Sequence, residues 1–443
     1  MKRSAWRYLW KSEDIRQKLL ITLLLLVIYR LAANIPVPGI NHTVLQQLAT
    51  GGGATGNLFN LLDLLSGGTV SRFSILAMGV YPYITAQIII QLLIPIIPAL
   101  ERRMKDNPRE AQTFMEKWTV ILTVPMATLS AIGQINIFNS LTGQKIVNFG
   151  FTGALLAPSL AILFSMMAGT MFGVWLGQLI SEYGIRNQGL SLIIFAGIVA
   201  RIPTNVFSLL SDRQNSWVLL VIIAILCLVI FAIVFVQQGR RNVPVMFPGR
   251  RVGNRMSMPV RSNLPLMVNM AGMIPLIFAQ SILTFPAIIA SYFTRSTVAW
   301  IASFSTGIYT AFNNTNWVYD LLYFLMVVIF TFFYTDVLFT QQNYGDNLKK
   351  QGAQIPGVVR GAPTQKYLTK VQRRITLPGA LFLGIVAVLP YVLSGALPVN
   401  ARQAGLFLIS SAGLLIVVGV VRDTFTIIDT ELKLHGYDDR LVK

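Results

Sequence analysis

Apolar runs alternate along this chain with short segments that gather most of its basic residues. Ten runs stand out: Leu19–Ile35, Phe73–Leu100, Trp118–Phe138, Phe151–Ser181, Leu190–Ile202, Trp217–Val236, Leu264–Ala290, Leu321–Leu338, Ile375–Leu393 and Gly405–Val421. Most reach or approach the ~20 apolar residues that carry a helix across a bilayer core, so the pattern predicts ten transmembrane helices. The fifth is short, bracketed by Arg186 and Arg201. Pro275 and Pro286 interrupt the seventh, and Pro275 is expected to kink it. Ahead of the second run, Leu58 to Leu65 is apolar but too short to span, and Gly67-Gly68 separates the two. That reads as a half-helix, a glycine hinge and a full span, or equally as an amphipathic surface helix before an ordinary span. A half-helix folded back at membrane depth needs shelter from protein or a water-filled cavity.

Charge then orients the spans. The chain carries 36 Lys and Arg against 17 Asp and Glu, a net charge of +19. With the N-terminus inside, the connections that fall outside hold only Arg72, Lys145, Arg201, Arg213, Arg295 and Arg402. The remaining basic residues crowd the N-terminus, the inside loops and the tail. This is the positive-inside bias, and it places both termini in the cytoplasm. Five spans precede the segment around Arg201 to Gln214 and five follow it. If the halves are related, an odd number forces them into opposite orientations.

Composition narrows the chemistry. Apolar residues make up 54% of the chain and charged residues 12%, against about 25% charged in a typical soluble domain. Spans two to ten hold no Asp, Glu, Lys or Arg away from their ends. Coupled carriers use such residues as relays and ion sites, so a passive conduit or an apolar scaffold is favoured. Lone Cys227 excludes an intrachain disulfide, and His42 and His435 are too few and too distant for a zinc site. No nucleophile-and-base pair or phosphate-cradling loop is visible. The expectation is no enzyme, no catalytic residue, no metal and no cofactor. A cleavable signal peptide is not expected either, because Arg30 and Pro36 follow the first run where a small-residue cleavage site would stand.

Ser66-Gly67-Gly68, Ser71, Ser74, Ala77-Met78-Gly79, Pro82-Tyr83-Ile84 and Gln91-Leu92-Leu93, taken in order, resemble the plug and second transmembrane helix of the SecY family, central subunits of protein-conducting channels. Further blocks agree in the right order, and the resemblance covers nearly all of the chain. It implies an all-α membrane protein, with ten transmembrane helices in two inverted five-helix halves around a central pore and a re-entrant plug helix. The corresponding divisions are a cytoplasmic N-terminus (1–18), a first half (19–202) with the plug at 57–72, and an external hinge loop (203–216). A second half (217–421) carries cytoplasmic loops 237–263 and 339–374, and a cytoplasmic tail (422–443) follows.

The same resemblance implies the site residues. An apolar pore ring falls on Val80, Ile84, Leu190, Ile194, Ile277 and Ile416. Such a ring seals by dewetting, and Val80/Ile84 and Leu190/Ile194 each stack at i, i+4. Without the resemblance, these would read as ordinary packing residues. The plug carries Asn57, Phe59, Asp63, Ser66, Gly67 and Gly68, and Asp63 suits an aqueous funnel better than lipid. A side opening between spans two and seven would use Thr85, facing Asn269, and Pro275. Asn269 reads equally as an ordinary interhelical hydrogen-bonding residue. Docking of ribosomal RNA and of the SecA ATPase falls on Arg240, Arg241, Arg250, Arg251, Arg255, Lys349, Lys350 and Arg360. Two departures stand out. Asn254-Arg255 replaces a paired basic motif, and Pro356-Gly357-Val358-Val359-Arg360-Gly361 displaces the family's motor-coupling arginine by one position.

The implied partners are SecE and SecG in a heterotrimer, SecA, the ribosome, signal peptides and nascent chains, anionic lipids, and SecDF and YidC. The implied place is the bacterial plasma membrane. The implied task is to pass unfolded secretory chains across the membrane and apolar segments sideways into it. The alternative is an uncoupled small-solute channel or carrier.

Overall fold

A computed structural model describes residues 12–40, 73–142, 149–150, 155–186, 188–200, 216–247, 251–252, 255–256, 260–293, 299–312, 317–396 and 411–434. The expected plug residues Asn57, Phe59, Asp63, Ser66, Gly67 and Gly68, most of the expected hinge loop, and Arg250 lie outside them.

The first half begins with α1 (Glu13–Ala32), whose acidic first turn and Arg30 in the last turn both complement the helix dipole. The chain then crosses itself. Pro36 pairs with Ser74 in an isolated antiparallel bridge. Val37 N–H donates to the Phe73 carbonyl at 3.1 Å, and Ile75 N–H to the Ile35 carbonyl at 3.0 Å. Residues 73–80 form turns with positive φ at Phe73 and Gly79. The second span therefore begins at α2 (Tyr81–Ile96), not at Phe73. The apolar character of 73–80 reflects burial inside protein, where irregular backbone at membrane depth is tolerated. Ile97 and Asn107 each precede a proline and end a helix, giving α3 (Pro98–Asp106) and the long α4 (Pro108–Thr142). Then follow α5 (Leu156–Tyr183) and the short α6 (Gly189–Val199).

The second half starts with α7 (Ser216–Gln238) and continues into a β-ribbon that the reading as a loop did not contain. Strand β1 (Arg240–Phe247) pairs antiparallel with β4 (Val260–Met267), in register from Arg240 opposite Met267 to Phe247 opposite Val260. At the tip, β2 (Arg251–Val252) pairs with β3 (Arg255–Met256). Span seven accordingly starts at α8 (Ile274–Phe293) rather than at Leu264. The remaining helices are α9 (Ala299–Ala311), α10 (Trp317–Gln341), α11 (Tyr344–Lys350), α12 (Ala362–Ala396) and α13 (Ser411–Leu434). Helix α12 starts well before the expected ninth span, and α13 runs past the expected end of the tenth.

Ten of these helices, α1, α2, α4–α8, α10, α12 and α13, match the ten apolar runs in order. Among the described residues, four helical stretches are both long and apolar enough to cross a membrane: Glu110–Ile135, Leu156–Tyr183, Trp317–Lys350 and Ala362–Leu389. Two cores lie on either side. One joins Phe73 and Ala77 to Ala131 and Ile135 of α4 and Met166 of α5. The other joins Ile233 of α7, Leu276 of α8, Tyr323 of α10, Leu383 of α12 and Leu415 of α13. A third lies between them, with side chains from both halves. Large apolar side chains such as Leu23, Phe231 and Phe235 are exposed on the perimeter. In water that would be a liability; facing lipid it is not.

Candidate functional site

The central core holds all six expected ring residues. Val80, Ile277 and Ile416 are 3%, 9% and 5% exposed, and Ile84, Leu190 and Ile194 pack against them partly buried. They arrive from the turn before α2, from α2 itself, and from α6, α8 and α13. Val80 is not on the helix but caps it, its carbonyl accepting from Ile84 N–H at 3.1 Å. Helix α6 is clamped at the end that carries Leu190. Gly189 N–H donates to Ser181 Oγ at 3.1 Å. A Cβ on Gly189 would overlap the Gly177 carbonyl, and one on Gly177 would crowd the Leu190 side chain.

The expected side opening is built differently from its sequence reading. Asn269 is 3% exposed, but its bonds are local. Gly272 N–H donates to its Oδ1 at 3.0 Å, and its Nδ2 donates to the Gly272 carbonyl at 3.2 Å. It folds the turn ahead of α8, which needs the positive φ of Gly272. Thr85 Oγ1 likewise bonds within its own turn, to the Pro82 carbonyl at 2.8 Å. Pro275 is the second residue of α8, where a missing N–H leaves no bond unmade. It starts the helix instead of kinking it, and the proline inside α8 is Pro286. What joins α2 to α8 is apolar. Ile84, Ile88 and Leu92 face Ala271, Ile274 and Phe278, with α10 behind. Phe278 meets Tyr334 edge-on at 5.5 Å between centroids and Phe330 at 6.2 Å. Sequence reading passed over Ile88, Leu92 and Phe278. The signal available was their i, i+4 spacing with Ile84 and Ile274.

The described residues among those expected to dock RNA and SecA lie on the ribbon and on the second loop region, which pack together. Val243, Val245 and Leu266 of the ribbon bury against Phe339, Leu348, Ala353, Ile355 and Leu368 of the second loop region. Met246 and Gln354 exchange backbone hydrogen bonds of 2.8 and 2.9 Å. Arg240, Arg241, Lys349, Lys350 and Arg360 are exposed on it. Arg251 and Arg255 lie on the tip strands. The Val245→Asp variant is expected to cost about 3 kcal/mol locally, by burying an unpaired carboxylate. Limited proteolysis should then cut the ribbon before the helices; an unchanged cleavage pattern would contradict this packing. Among the described residues, no cluster of three or more His, Cys, Asp or Glu is placed to hold a metal.

The SecY family profile matches residues 74–425. The chain is 37% identical over 437 residues to "Protein translocase subunit SecY" of Aquifex aeolicus, covering 97% of each chain. It is 34% identical over 441 residues to that of Streptomyces scabiei, covering 98% of this chain and 99% of the other. Among solved structures, a protein-conducting channel superposes with TM-score 0.64 at 15% identity, covering 99% of this chain and 100% of that one. Sec61 from the canine ribosome-channel complex superposes with TM-score 0.61 at 15% identity, again covering 99% and 100%.

Proposed function

The chain belongs to the SecY family of protein translocase subunits, and from that premise we propose how its residues conduct a polypeptide. The carrying observation is the central core, in which six apolar side chains from both halves meet with no charge among them. In the resting state Val80, Ile84, Leu190, Ile194, Ile277 and Ile416 form the constriction. A ring of this kind excludes water and ions, yet yields to an extended chain because its contacts are dispersive and non-directional. Asn57 to Ser71 is the plug above it. The halves 19–202 and 217–421 part about the segment 203–216, and α2 separates from α8. The faces carrying Ile88, Leu92, Ile274 and Phe278 then offer an apolar signal helix burial, worth about 25 cal/mol per Å².

The protein lies in the bacterial plasma membrane with both termini cytoplasmic and works as a conduit, not an enzyme. SecE and SecG clamp the halves. SecA and the ribosome dock on the ribbon body, with SecDF and YidC as further associates. Many basic contacts to RNA phosphates make that docking salt-sensitive. Arg360 is exposed on this body, which supports its motor-coupling role despite the displaced motif. The Arg360→Glu variant is expected to reduce SecA-driven export at least tenfold with ribosome binding intact. Export at the normal rate by this variant removes the residue from the coupling site.

The deciding experiment places a photoreactive residue at 277 and stalls a ribosome partway through a secretory protein. Adducts between position 277 and the mature part of the nascent chain are expected. Adducts confined to lipid or neighbouring spans, with the ribosome still docked, would reduce the ring to packing and return the small-solute reading to the front.

A further inference from the structure

An ion pair joins the first half of the chain to the second. Lys18 Nζ donates to Glu431 Oε1 at 2.6 Å, across a sequence separation of 413 residues. The side chains are 29% and 16% exposed, so most of each lies against protein. Lys18 stands in the second turn of α1, and Glu431 in the last turn of α13. The ion pairs Arg373–Asp336 and Arg422–Asp423, by contrast, each stay within the second half.

Both partners are held from behind. Thr22, one turn along α1, is 5% exposed, and its hydroxyl donates to the Lys18 carbonyl at 2.8 Å. That hydroxyl lies where a Cβ on Gly184 would stand, so the turn between α5 and α6 closes against α1 at this level. Leu19 beside Lys18, and Ile427 one turn before Glu431, pack on the core that contains Leu192 and Ile193 of α6. The pair therefore lies towards the Gly189 end of α6, whose Val199 end leads to the expected hinge at 203–216.

The seam between α2 and α8 is built otherwise. Ile84, Ile88 and Leu92 meet Ala271, Ile274 and Phe278 there. Such contacts are dispersive and individually weak, and any apolar partner replaces them. An ion pair behaves differently. Pulling it apart leaves two poorly solvated charges. Turning about it is easy, because the ammonium carries three donors on a flexible four-carbon stem. The Lys18–Glu431 joint thus resists separation and permits rotation, whereas the α2–α8 seam permits separation.

We propose that Lys18–Glu431 is a pivot about which the two halves turn on the cytoplasmic face while α2 and α8 part, an inference that rests on the reading of two parting halves. A connection at 203–216 alone ties the halves on the outer face only. A second fixed point on the inner face sets an axis along α6 and directs the motion to the α2–α8 side. Lys18 and Glu431 are positioning residues, and neither touches the translocating chain.

The test uses the full chain with its partner subunits in vesicles and reads SecA-driven export. A Cys227→Ser background removes the exposed native thiol. Lys18→Cys with Glu431→Cys is measured before and after closure with a short bis-maleimide, and Leu92→Cys with Ile274→Cys receives the same reagent. Export by the open 18/431 variant is expected to fall about fivefold, the upper range for losing a partly exposed ion pair. Closing that tether should restore most of the lost rate. A role in folding alone gives no such recovery, since the chain is already assembled when the tether forms. Closing the 92/274 tether should stop export. If the 18/431 tether stops export too, the joint has to open and is no pivot. Export at the parental rate by the open 18/431 variant, or no recovery on closure, overturns the proposal as well. If the 92/274 tether leaves export untouched, the reading of two parting halves fails, and the pivot fails with it. Should the 18/431 cysteine pair not assemble, Lys18→Glu with Glu431→Lys keeps the ion pair and is expected to export at the parental rate, with Lys18→Glu alone about fivefold slower. Equal rates of those two variants would overturn the proposal.

Discussion

Replacing Ile277 by aspartate is expected to turn the sealed protein into an ion leak. Ile277 is 9% exposed and belongs to one apolar cluster with Val80 and Ile416, against which Ile84, Leu190 and Ile194 pack. A carboxylate there either draws water in or costs several kcal/mol while unpaired. Hydration is the cheaper outcome beside a pore, and a hydrated constriction no longer excludes ions. Resting conductance of reconstituted vesicles should rise by roughly an order of magnitude or more. Ile277→Leu, which keeps volume and apolarity, should stay close to the parent. If the aspartate variant folds and remains as tight as the leucine variant, the seal lies elsewhere and these six residues are packing alone.

The second large effect concerns assembly. Gly169 of α5 sits directly against the backbone carbonyl of Ile75, in the turn that precedes α2. A Cβ there would overlap that oxygen. Glycine to alanine inside a helix ordinarily gains up to about 1 kcal/mol. At Gly169 the sign reverses, because the turn that meets it is itself pinned by the 35–37 and 73–75 backbone bonds. The Gly169→Ala variant is expected to lose about 3 kcal/mol, read as a fall of several degrees in thermal unfolding followed in detergent. Gly307→Ala in α9 is the matched control, since a Cβ there meets nothing within 4 Å. It should leave the transition unchanged or raise it. Equal behaviour of the two variants would show that α5 and the turn are not in close contact.

Both effects arise at places of different legibility. The ten spans were readable because a bilayer demands a fixed length of apolar helix, and no tertiary partner alters that requirement. An orientation could be proposed because basic side chains partition between loops one segment at a time. The ring residues could be named only through the family resemblance. Nothing in their own spacing distinguishes Ile277 or Ile416 from any other buried isoleucine.

The failures share a cause. Phe73 to Val80 and Leu264 to Met273 read as parts of spans because hydropathy records burial and does not say whether lipid or protein provides it. Protein provides it in both: the first is a turn closed under α5, and the second a strand end and an asparagine-folded turn. Pro275 read as a kink because its position within the helix depends on where the preceding turn stops. The ribbon was partly visible, since Val243, Val245 and Phe247 alternate as a strand does, but the density of arginine drew the reading towards a loop.

The sequence by itself determined the ten apolar runs and that the second to tenth carry no charge away from their ends, because each is a local transaction between a segment and its solvent. Only the tertiary structure decided that Pro36 meets Ser74, that Met246 meets Gln354 and that six apolar side chains from both halves share one core. Those pairings are contacts between segments far apart in the chain, and their cost and reward exist only once both partners are in place.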